Sequence, residues 1–70
     1  MSNIDRLKQH DANRRIFANT IIDLHNSQGF YSRLYEQINE MPEETFKELC
    51  NLLDRQSFRD PVDVVLWLEA

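Results

Sequence analysis

His10 and His25 are the only histidines of this chain and Cys50 is its only cysteine, so metal or thiol chemistry would have to be built around them. Two histidines bind one ion from a single helix when they stand three or four residues apart. These two are fifteen apart, which on a continuous helix is about 22 Å. Asp23 and His25 are two residues apart and face different ways. No metal site is therefore expected. Cys50 with a histidine could form a nucleophile and its base. It lies instead at the margin of an apolar helical face, between Leu49 and Leu52, and follows no glycine elbow. Nothing nearby in the sequence lowers its pKa, and a buried structural thiol is the expected role.

Carboxylates are the next candidates. Glu40, Glu43, Glu44 and Glu48 cluster around the Met41-Pro42 junction. General acid catalysis needs a carboxyl whose pKa is raised by a dry pocket. No glycine-rich or pocket-forming loop flanks these residues, so a solvated acidic surface is expected, with a recognition patch as its functional version. No catalytic residue and no cofactor is assigned, and the chain is not expected to be an enzyme.

Binding of nucleic acid can be tested on charge. The last two helical segments invite a helix-turn-helix reading, whose second helix must present polar and basic groups to DNA. Residues 62–69 contain Asp63 and Glu69 and no basic side chain, so phosphate would repel them. Arg6, Lys8, Arg14 and Arg15 are better placed, although Asp5 and Asp11 dilute them. Residues 1–15 carry +2, residues 16–35 are neutral and residues 36–70 carry −6, within a total of −4. Such polarity can steer a charged partner or pair one copy with another.

The elements that must position these groups are helical. The chain has one glycine and two prolines, and that scarcity of turn residues favours helices over sheet. A first helix is predicted over about 3–26, with Ile4, Leu7, Phe17, Ala18, Ile21, Ile22 and Leu24 in one arc. His10, Asp11 and Arg14 interrupt that arc, and Ile16 points away from it. Gly29 can supply the left-handed residue that closes the helix; the alternative is a kink there. A second helix, about 30–41, carries the clean stripe Phe30, Tyr31, Leu34, Tyr35, Ile38 and Met41. A third, 42–55, starts with Pro42 in its first turn and Glu43 and Glu44 at its dipole's positive end, then fades near Arg55 and Gln56. A fourth, 61–69, has Asp60 as N-cap, Pro61 as first residue and Asp63 as the returning acid. The β-branched Val62, Val64 and Val65 would also permit a strand pairing across a dimer, but no other segment reads as its partner.

Together these segments predict an all-α fold: one domain, 1–70, a small bundle of three to four helices completed by dimerisation. Phe17, Ile21, Leu34, Ile38, Leu49 and Leu53 are the expected core. A chain of 70 residues buries only about 60% of its unfolded surface, and a single cysteine permits no internal disulfide, so a partner chain is the natural support. The lone thiol suits a reducing compartment. No apolar run approaches the ~20 residues of a membrane span, and residues 1–15, MSNIDRLKQHDANRR, do not read as a signal peptide. A cytoplasmic location is expected.

The expected function is that of a small acidic helical module that binds and modulates a protein partner of unspecified identity, and forms a homodimer. Its style, short, acidic, helical and poor in glycine, is similar to that of small accessory proteins of bacteriophages and other mobile elements. The residues assigned to partner or dimer contact are Asp11, Arg14, Arg15, Tyr31, Tyr35, Val64, Trp67 and Leu68. Asp11 and Arg14 would pair with each other or with a neighbouring helix, and the fourth helix is too apolar for one small core to cover. The alternative is a nucleic-acid-associated regulator using the basic N-terminal helix.

Overall fold

The structure, a computed structural model, describes residues 2–10, 12–27, 29, 32–58 and 60–70. They form five helices and, among the described residues, no strand: α1 (Asn3–Lys8), α2 (Asn13–Ser27), α3 (Ser32–Glu40), α4 (Glu43–Asp54) and α5 (Pro61–Glu69). The all-helical fold is as expected, and residues 62–68 are helix, so the strand alternative for them falls.

The predicted first helix is in fact two. α1 ends at Lys8, and Ala12, with φ 61, turns the chain into α2. The reason is one of length. A straight helix over 3–26 would run about 36 Å, whereas the largest dimension of the fold is 27 Å. Straightened, Ile4 and Leu7 would project into water. Folded back, α1 packs on α2 and α3, and Ile4 and Leu7 are 0% and 1% exposed. His10, which would have broken an apolar stripe, stays exposed in the link.

Polar bonds complete this docking. The Asn3 side chain donates to the carbonyl oxygens of Ile38 (2.8 Å) and Met41 (3.4 Å), covering acceptors left open at the end of α3. In return the Asn39 side chain accepts from the Ile4 amide at 2.9 Å, one of the open donors at the start of α1. Ser2 caps α1 by accepting from the Asp5 amide.

α2 is the central helix, touching α1, α3, α4 and α5. It ends at Ser27 without the left-handed glycine expected: Gly29 has no positive φ. α4 begins one residue after Pro42, which serves as its N-cap with extended backbone and is not the first helical residue. Its other end does not fade. The Gln56 amide donates to the Leu53 carbonyl and the Ser57 amide to the Leu52 carbonyl at 3.0 Å, a Schellman closure with Gln56 left-handed at φ 57. α5 starts as predicted, with Asp60 accepting from the Val62 amide at 2.9 Å and Asp63 accepting from the Asp60 amide.

The core is Ile4, Leu7, Phe17, Ala18, Ile21, Leu34, Ile38, Phe46, Leu49, Cys50, Leu53 and Val64. All six residues expected inside are there. Beyond aliphatic contact, the Arg6 guanidinium lies 4.3 Å above the Phe46 ring.

Candidate functional site

Two contacts pair the basic start of the chain with its acidic second half. Arg6 of α1 donates both terminal nitrogens to Glu43 of α4, at 2.7 and 2.9 Å. Arg14 of α2 donates through Nε (2.9 Å) and a terminal nitrogen (2.7 Å) to Asp54 at the end of α4. Both are two-pronged contacts that match the planar guanidinium to the carboxylate. Hydrogen bonding from Arg6 and its positive charge hold Glu43 below the ordinary carboxylate range, and Arg14 does the same for Asp54. The basic N-terminal segment thus clamps the acidic α4 from two helices. Asn13 adds a bond from its side chain to the Leu53 carbonyl at 3.3 Å.

Between these clamps lies a recess of about 300 Å³ lined by Arg6, Arg14, Glu43, Phe46, Lys47, Cys50 and Asn51. Cys50 is 6% exposed at this recess, and burial pushes its thiol up despite the neighbouring arginines. A protonated thiol is a poor nucleophile, in keeping with a packing role. His25 and Ser32 form a pair that the sequence did not suggest, with Nδ1 3.0 Å from the serine Oγ. The His25 ring stacks on Tyr35 at 4.3 Å and 13°. The pair joins the end of α2 to the start of α3, and a serine seven residues from a histidine across a helix break has no sequence signature. Among the described residues, no group of three or more His, Cys, Asp or Glu side chains could hold a metal ion.

The residues assigned to contact separate in the structure. Asp11 and Tyr31 lie outside the described residues. Arg14 is committed to Asp54, on a neighbouring helix of the same chain. Arg15 is exposed on α2, and Tyr35 is half-buried under His25. Val64 is 0% exposed and belongs to the core of the single chain. Trp67 and Leu68 are half-buried on the sides of α5, Trp67 tilted against Phe58 at 5.8 Å. With Val64 facing inward, the outer face of α5 is that of Val62 and Leu66, one turn apart and 45% and 61% exposed. Periodicity could not choose this face, because nearly every position of the helix is apolar.

No family model, no curated protein and no solved structure matches the chain. What remains is the geometry of its surface. Ile16 of α2 is 63% exposed, the largest such value among the bulky apolar residues described. It borders a cleft of about 410 Å³ whose other walls include Phe17, Leu53, Gln56, Phe58 and Pro61, with Asn13, Thr20 and Asp60 at polar positions. The left-handed Gln56 turns the chain from α4 toward α5 and so forms one side of the cleft. Among the described residues no helix is long and apolar enough to cross a membrane.

Proposed function

We propose that this chain is a protein-binding module that acts through the outer face of α5 and the adjoining cleft, and carries out no chemistry of its own. The observation that carries the reading is the exposure of Ile16, Val62 and Leu66 in a chain with 41% hydrophobic residues. Contact surfaces combine apolar anchors with a polar rim, and here Asn13, Thr20, Gln56 and Asp60 supply the rim of the cleft. Self-association belongs to the same reading, since a domain this small gains most from added apolar contact. The nucleic-acid alternative has weaker support: two of its four basic residues, Arg6 and Arg14, are occupied by carboxylates, and the chain as a whole carries −4.

The test is capture from the cells that make the protein, comparing the tagged chain with a Val62→Glu, Leu66→Lys variant. That pair keeps a helix-compatible i,i+4 arrangement. Proteins retained by the natural chain and lost with the variant are the expected result. Equal retention by both would remove α5 from the binding surface. Retention of DNA or RNA that weakens steeply with salt would favour the alternative.

A further inference from the structure

α1 is joined to the rest of the fold through a turn that its sequence does not favour. Ala12 sits at φ 61, where the Cβ of an L-residue crowds the following carbonyl. Asparagine and aspartate tolerate this region through local hydrogen bonds, and glycine through the absence of Cβ; alanine has neither device. It is also the strongest helix former. Rotating Ala12 into the right-handed region removes the strain and lets α2 continue toward α1. Gln9, on the other side of the link, already has right-handed helical geometry at φ −83, ψ −6.

The contacts that hold α1 do not require that turn. Ile4 and Leu7 are buried in the core, Asn3 bonds to the end of α3, Asn39 returns a bond to Ile4, and Arg6 grips Glu43. An α1 supplied by another copy can make every one of them. A helix running unbroken through α1 and α2 would be about 37 Å long, more than the 27 Å extent of the fold, so α1 would clear its own body.

We propose that two copies of this chain exchange α1: each straightens at Ala12 and places its α1 against α2 and α3 of the other, with Arg6 reaching Glu43 of that copy's α4. Strain in a short hinge, with identical contacts available in either arrangement, is the condition under which exchange of an element occurs. The inference rests on the self-association proposed above and specifies its route, leaving the outer face of α5 open to a different partner.

The test exploits the Arg6–Glu43 pair. In a closed monomer, Arg6→Glu sets two carboxylates against each other and Glu43→Arg sets two guanidinium groups against each other. In an exchanged heterodimer of the two variants, each α1 meets a groove of opposite charge. Sedimentation equilibrium of the mixture at about 100 µM, a concentration well above a typical stable-dimer Kd, should give twice the 8.4 kDa chain mass. Each variant alone should associate much less. Ala12→Gly in the natural chain should raise the dimer Kd by about tenfold or more, because both hinges lose their strain. A mixture that stays at the single-chain mass, folded or not, would overturn the exchange, as would an Ala12→Gly Kd equal to that of the natural chain. A natural dimer that Val62→Glu, Leu66→Lys abolishes, with the mixture still monomeric, would reject exchange while leaving the α5 surface in place.

Discussion

α1 and α5 lie at opposite ends of the chain and make opposite use of their residues. α1 is six residues of mixed polarity, yet it buries Ile4 and Leu7 almost completely and is held by Asn3, Asn39 and the Arg6–Glu43 pair. α5 is nine residues, nearly all apolar, and only Val64 is fully buried. Its defining hydrogen bonds are local ones at its start, between residues 60 and 63. The difference shows that hydrophobicity of a segment does not measure its share of the core. A helix with two apolar residues on one face can dock completely, while a helix apolar all round must leave one side bare when it packs on a single layer.

Single substitutions should separate the two helices most sharply at their aliphatic residues. Leu7→Ala is expected to cost about 2–5 kcal/mol, as for other fully enclosed leucines, whereas Leu66→Ala should stay within about 0.5 kcal/mol, as for exposed positions. Urea unfolding of the two variants checks this. Similar losses in both would break the comparison. At the start of α5, Asp60→Ala removes the side-chain cap on the Val62 amide while leaving the residue-60 amide bonded to Asp63, for an expected loss of about 1 kcal/mol. Because that cap is local, the loss should appear first in amide exchange of α5, with α1 still protected.

A smaller effect, of opposite sign, is expected where α4 hands over to α5. Gln56→Gly relieves a left-handed backbone at some cost in unfolded-state entropy, for a net gain of about 0.5 kcal/mol. A loss of stability would mean that the Gln56 side chain contributes more to the cleft than its backbone costs. The smallest effect belongs to the two clamps. Glu43 and Asp54 have carboxyl groups held down by arginine hydrogen bonds, from ordinary values of 4.5 and 3.8. A depressed folded pKa gives stability that is complete above the unfolded value and is lost as pH falls through the folded one. Stability should therefore hold from neutrality to about pH 5 and decline in acid. Replacing Arg6 and Arg14 by methionine should flatten that decline, and thermal melts over this range measure it. Both carboxylates are solvent-exposed and the effect will be modest.

Local chemistry was legible in the sequence, and tertiary choices were not. Asp60, Pro61 and Asp63 specify the start of α5 because the capping bonds run between near neighbours. Leu34 and Ile38, one turn apart with Glu36 and Gln37 between, mark the inner face of α3. The break after α1 carries no glycine or proline. It is imposed by burial of Ile4 and Leu7 some distance from Ala12, so a helix-favouring link reads as continuous helix. The inner face of α5, that of Val64, could not be read for a related reason: when nearly every position is apolar, only the position of α2 decides which side is covered. The charge asymmetry was visible, but its pairing of Arg6 with Glu43, 37 residues away, depends on the fold. The Schellman turn was missed because glutamine occupies the place where glycine would have signalled it.

If the outer face of α5 belongs to a contact surface and not to the fold, charges placed on it should leave the monomer's stability intact. The melting temperature of the Val62→Glu, Leu66→Lys chain, measured at a concentration low enough for the monomer, tests it most directly. The expected value lies within about 4 °C of the natural chain, the shift for surface changes of about 0.5 kcal/mol in a small domain. A fall of more than about 10 °C, corresponding to over 1 kcal/mol, would show that Val62 and Leu66 hold the monomer together and would contradict it.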